Sequence, residues 1–149
     1  MLKKNWLILI ICCLTAGCHW LESFEEDLDP IHKLGLIDSD SIFKPHSPQF
    51  KHGFESKLDP VGEALQKETS DYVFKIQAYV DKFGTHNQQV ELSKTQAELI
   101  ASYLWSKYDI PLDQFVEIMG MGSADPIADP STAEGSAINR RIQVVLQPK

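Results

Sequence analysis

Histidine, cysteine and glycine spacings mark the places where this chain could do chemistry. Five histidines, His19, His32, His46, His52 and His86, offer imidazoles to a metal ion or to proton transfer. They are scattered without HxxxH or HExxH spacing, so the sequence implies no metal site. The glycine-rich run GMGMGS from Gly120 lacks the Lys-Ser/Thr tail of a phosphate loop and the GxGxxG spacing of a dinucleotide fold. No GxSxG elbow is present, and Ser93 has no neighbouring histidine in sequence. Neither catalysis nor a cofactor is implied. The thiols are Cys12, Cys13 and Cys18, and their meaning depends on the segment that carries them.

That segment is an export leader. Lys3 and Lys4 precede the apolar run from Trp6, and Thr15, Ala16 and Gly17 follow it, giving a positive end, a greasy middle and small residues at a cleavage point. The run is well short of the ~20 apolar residues that span a bilayer as a helix. Cleavage before Cys18 removes residues 1–17 together with Cys12 and Cys13, so no intramolecular disulfide is expected. LTAGC resembles the lipobox of bacterial lipoproteins, although Thr15 stands where that motif usually has Leu. The resemblance implies that Cys18 becomes an acylated N-terminus; ordinary cleavage leaving a free thiol is the alternative. His19 after the cysteine is compatible with outer-membrane delivery.

The chain has 149 residues and a formal charge of −7, and loss of Lys3 and Lys4 deepens the acidic excess. Such a surface has no general means of displacing counterions from phosphate, which argues against nucleic-acid binding. What remains after the leader suffices for one domain with its own core. Residues 18–36 carry Glu22, Glu25, Glu26, Asp27 and Asp29 without a sustained apolar period, and are expected to form an acidic tether ahead of a domain over 37–149.

The elements of that domain follow from periodicity. LIDSDSIF from Leu36 is compatible with a first strand. A helix is expected from Asp59–Pro60 to near Thr69, with Phe54 and Leu58 allowing an earlier start and a kink at Pro60. YVFKIQAY from Tyr72 alternates over eight residues, as a strand with one buried face does. From about Asn87 to Lys107, Leu92, Leu99, Ile100, Tyr103 and Leu104 recur at helical spacing. FVEIM from Phe115 gives a third strand, a long loop with a short helix follows, and RRIQVVL gives a fourth. Strands alternating with helices imply an α+β sandwich, with a sheet covered by helices.

Several motifs in order now identify a family. VDKFG at Val80 to Gly84, Asn87, LSKTQA at Leu92 to Ala97, GMG at Gly120 to Gly122 with Pro126, and Thr132 to Asn139-Arg140-Arg141 resemble the OmpA-like C-terminal domain that binds peptidoglycan. The resemblance implies a four-stranded mixed sheet with helices on one face. It also implies that the ligand is the zwitterionic end of meso-diaminopimelate in the stem peptide, recognised by a fixed anion and a fixed cation. The anion falls on Asp81, and Gly84, Asn87, Asn139 and Arg140 fall on other motif positions. The family's cation is replaced by Gln96, which lacks the charge and fork of guanidinium. Ser136 is a second departure.

Other roles are open at each position. Asp81 can be a turn former, Asn87 a helix cap, Gln96 an ordinary polar residue, and Arg140 and Arg141 solvated strand ends or partners of loop carboxylates. Two functions are therefore expected as alternatives. One is an outer-membrane lipoprotein whose periplasmic domain holds the cell wall. The other is a docking component resembling the outer-membrane lipoprotein of type IVB (Dot/Icm) secretion systems, with secretion-system core proteins as its partners.

Overall fold

The computed structural model describes residues 32–149; the leader, Cys18 and the tether up to residue 31 lie outside the described residues. The elements run β1 (His32–Asp38), α1 (Glu55–Glu68), β2 (Tyr72–Ala78), α2 (His86–Tyr108), β3 (Phe115–Gly120), α3 (Ala133–Asn139) and β4 (Arg141–Pro148), with 3-10 turns at Ser39–Ser41 and Leu112–Gln114. The four strands form one sheet in the order β1-β4-β2-β3. Strand β4 is antiparallel to both β1 and β2, while β2 and β3 are parallel. A parallel pair needs a long crossover, and α2 supplies it. The mixed four-stranded sheet is the expected one.

Period two in β2 sends Phe74, Ile76 and Ala78 to one face, where Ile142, Val144 and Leu146 of β4 join them. Leu58 and Leu65 of α1 and Ile100, Ala101 and Leu104 of α2 close over that face and complete the core. The other face is partly open. There Lys75 pairs with Glu117 at 3.2 Å and Gln77 donates to the same carboxylate at 3.0 Å.

Two boundaries differ from expectation. Strand β1 starts at His32 rather than Leu36, so the tether–domain boundary at 36/37 falls inside a strand. An edge strand pairs on one side only and tolerates polar residues; here the register also shifts between Lys33 and Gly35, where Gly35 has φ +138°, and the alternation is lost. Asp38 ends the strand by accepting from the Asp40 amide at 2.9 Å, so Ile42 and Phe43 are not strand residues but buried core side chains. Helix α1 takes the earlier start and carries Pro60 inside it. Asp59 is therefore no cap. Its carboxylate accepts from Tyr103 and Lys107 of α2 and locks the two helices together.

Helix α2 is held against the sheet at Gly120, where a Cβ would lie 2.1 Å from the Lys94 backbone nitrogen. Only a residue without a side chain permits that approach.

The Lys107 ammonium, followed by the Tyr103 hydroxyl, draws the Asp59 carboxyl down to about 2. A carboxyl whose pKa is lowered on folding contributes stability above its unfolded pKa and loses it as the pH falls through the folded one. Asp59→Asn is expected to lower the melting temperature at neutral pH and to flatten its fall between the ordinary carboxylate range and pH 2. Thermal unfolding monitored across that window checks this.

Candidate binding site at Asp81

The site lies where three strand ends meet. Beyond β2, Tyr79 and Arg141 exchange backbone hydrogen bonds at 2.8 and 3.3 Å, and the Val80 amide donates to Gly122 at 2.9 Å. Asp81 is thus the next residue after a backbone fixed on both sides. Arg140 occupies the turn between α3 and β4, and its carbonyl accepts from the Ser39 amide at 3.0 Å. Its guanidinium reaches in two directions: Nε and Nη2 donate to Asp40, at 3.0 and 2.7 Å, while Nη1 donates to Asp81 Oδ2 at 2.8 Å. The hydrogen-bonded Asp40 carboxylate is the largest cause of the raised Arg140 pKa, with Asp81 adding to it. Asp81 is 15% exposed, and its Oδ1 has no hydrogen-bond partner among the described residues. Facing that oxygen at 3.7 Å is His46 Nδ1, on a turn closed by the Lys44 amide and the Gln49 carbonyl. The His46 ring leans on Phe83 with centroids 4.9 Å apart.

Helix α2 positions the surrounding loops through a buried stripe that changes character along its length. Ala97, Ile100, Ala101 and Leu104 form its apolar part, but Gln89, Ser93 and Gln96 are buried in the first half. The expected stripe through Leu92 and Leu99 is only half-buried. Gln89 donates to the Phe83 carbonyl at 2.7 Å and accepts from Ser123 at 2.7 Å. Ser93 accepts from the Gly122 amide at 2.9 Å. Gln96, 3% exposed, donates to the Ser47 carbonyl at 3.1 Å, and its Oε1 is buried without a partner among the described residues. Each buried amide or hydroxyl meets a loop backbone group that would otherwise cost free energy.

The structure brings Asp81 and Arg140 into direct contact and sets Gln96 under the same turn that carries His46. The other expected residues serve the backbone. Gly84 has φ +49°, and a Cβ there would meet Gln88 Oε1 at 2.4 Å. That oxygen accepts from the Thr85 amide at 2.8 Å, and the Thr85 hydroxyl accepts in return from the Gln88 amide. Thr85 is therefore the N-cap of α2; Asn87 is not, and it is exposed in the first turn. Asn139 accepts from the amides of Ile127 and Ala128 at 2.7 and 3.0 Å and donates to the Ala128 carbonyl at 2.9 Å. Arg141 is buried rather than solvated: its guanidinium stacks 3.6 Å from the Tyr79 ring centroid and donates to the Asp125 carbonyl at 2.9 Å. Burial pushes the Arg141 pKa down and that of Tyr79 up.

Beside Asp81 opens a cleft of about 300 Å³ lined by Asp81, Lys82, Ser123, Asp125, Pro126 and Asn139 among others. A mainly apolar cleft with a fixed carboxylate at its edge suits a small cationic group carried on an apolar stem. Asp40, His46, Ser47 and Lys82 were not legible as members of this site. Asp40 and Arg140 are far apart in sequence, and no spacing rule joins them.

Comparison with known proteins gives a consistent picture. Residues 42–140 match the OmpA family. The chain is 35% identical over 106 residues to the probable lipoprotein YiaD of Escherichia coli, covering 71% of this chain and 47% of that protein. It is 34% identical over 89 residues to the peptidoglycan-binding protein ArfA of Mycobacterium tuberculosis, covering 60% of this chain and 26% of that protein. The chain thus spans about half or less of these relatives' length. The peptidoglycan-associated lipoprotein of Burkholderia pseudomallei shares the fold, with a TM-score of 0.62, 24% identity, and coverage of 71% of this chain and 87% of that one.

Because Asn139 satisfies two loop amides, Asn139→Ala leaves both without their acceptor. We expect a loss of about 1–3 kcal/mol and faster hydrogen exchange at the loop amides of Ile127 and Ala128 than in the unsubstituted protein, measured by NMR.

Proposed function

Since the chain belongs to the OmpA family, we propose that it is a lipid-anchored envelope protein whose domain binds peptidoglycan non-covalently at Asp81. The carrying observation is the Asp81 carboxylate, held rigid through Oδ2 by Arg140 while Oδ1 has no hydrogen-bond partner among the described residues, at the edge of a cleft. A pre-oriented carboxylate with one oxygen to spare accepts an ammonium once the half-exposed His46 ring in front of it gives way. In the stem peptide, the side-chain end of diaminopimelate supplies that ammonium.

The name of ArfA as a peptidoglycan-binding protein and of YiaD as a probable lipoprotein supports this reading. Anchoring rests on Cys18 in LTAGC. Two or three acyl chains at about 0.8 kcal/mol per buried methylene hold a protein firmly on a membrane, here the outer membrane with the domain in the periplasm.

One observation is compatible with a second reading, docking of a partner protein, for which the family resemblance offers an envelope-spanning secretion system of the type IVB class. Leu36 and Met119 lie in one row across the open sheet face, joined through Gln143 and Gln77, and are 56% and 42% exposed. On that reading wall binding is secondary.

Sedimentation with isolated sacculi tests the first reading. Asp81→Asn keeps the side chain's shape and leaves Arg140 on Asp40, and is expected to weaken binding about 10- to 100-fold; Gln96→Arg is expected to strengthen it by a similar factor. Co-sedimentation unchanged in both variants refutes the site. Radiolabelled palmitate is expected to enter the protein and to be absent from Cys18→Ser; equal labelling of the two refutes the anchor.

A further inference from the structure

Resting on the reading that Asp81 receives the stem peptide, we propose that this site selects a side-chain terminus with a primary ammonium whose neighbouring carboxylate is absent or amidated. Lysine-type and amidated diaminopimelate stems fit it better than the free zwitterion.

A zwitterionic end asks for an acceptor and a cation side by side. The acceptors are here: Asp81 Oδ1 and Gln96 Oε1 are both buried and lack a hydrogen-bond partner among the described residues. Consecutive residues of one turn lie against the two side chains, His46 facing Asp81 Oδ1 and the Ser47 carbonyl accepting from Gln96 Nε2. An ammonium has three donors and no acceptor, which matches vacancies that only accept.

A cation for the carboxylate is not provided in the same way. Gln96 is neutral, and its amide nitrogen is committed to Ser47. Arg140 uses all three of its nitrogens on carboxylates, Nε and Nη2 on Asp40 and Nη1 on Asp81, so one guanidinium already faces two anions. Lys82 and Asp125 both line the cleft next to Asp81, and their charges offset one another. His46, half exposed on its turn, reaches Asp81 itself. A ligand carboxylate entering here leaves water and meets Asp40, Asp81 and Asp125, while the nearby cations are already engaged, Arg140 on Asp40 and Asp81 and the Lys51 ammonium on the Asp40 carbonyl. That penalty falls on the free acid and not on its amide.

The test is calorimetric titration of the full-length protein in detergent micelles with three soluble muropeptides that differ only at the third stem residue. These carry free meso-diaminopimelate, the same residue amidated at its side-chain carboxyl, or lysine. We expect the amidated and lysine forms to bind about tenfold more tightly than the free acid, Gln96→Arg to reverse the order, and Lys82→Ala to change all three affinities by a similar factor. Equal or tighter binding of the free acid overturns the inference while the wall-binding reading stands. So does a Lys82→Ala variant that loses affinity for the free acid alone, since Lys82 is then the carboxylate's partner. Absence of binding to all three refutes both.

Discussion

The Arg140 guanidinium, shared by Asp40 and Asp81, is the contact on which the site's architecture depends. It joins the turn after β1, the loop after β2 and the residue before β4, three segments that no other single side chain spans among the described residues. The group is partly buried, with Arg140 at 23% exposure. In such surroundings a charged hydrogen bond is stronger than in water, and an uncompensated partner is costly. The arrangement is therefore cooperative: each carboxylate orients the guanidinium that orients the other. It also fixes the carboxylate that a ligand would meet.

Helix α2 acts as a second organiser. Its apolar half packs into the core, while its polar half ties down three backbone segments, at Phe83, Gly122–Ser123 and Ser47. The close approach at Gly120 makes this reach possible, because short polar side chains cannot bridge a wide gap between helix and loop. Packing and polar satisfaction are thus consequences of one interaxial distance. At Gln96 the same device leaves one acceptor over, and that excess coincides with the place where the family resemblance expects an arginine.

Strand β2 and helix α2 were legible in the sequence because both carry long, regular periods, and Asp81 was legible because its motif follows β2 directly. The start of β1 was not, since an edge strand with a glycine irregularity has no alternation to detect. Asp59–Pro60 resembled a helix start, but the aspartate is used by Lys107 and Tyr103 across the helix pair instead. Asn87 and Asn139 illustrate the remaining gap: the residue type announces hydrogen bonding, while only the fold decides whether the partner is a ligand, a cap or a loop. The ties of Arg140 to Asp40 and of Gln96 to Ser47 are long-range and have no local sequence signature.

The strand order β1-β4-β2-β3 carries a consequence for how the chain can mature. The fourth strand in chain order lies between the first two, so β1 has no partner in the sheet until Arg141–Pro148 arrives. A polypeptide interrupted before that point leaves β1 unpaired and one edge of β2 open, and lacks Ile142, Val144 and Leu146 from its core, a state that proteases and chaperones recognise. The sheet closes only once β4 is in place, because that strand alone joins β1 to β2.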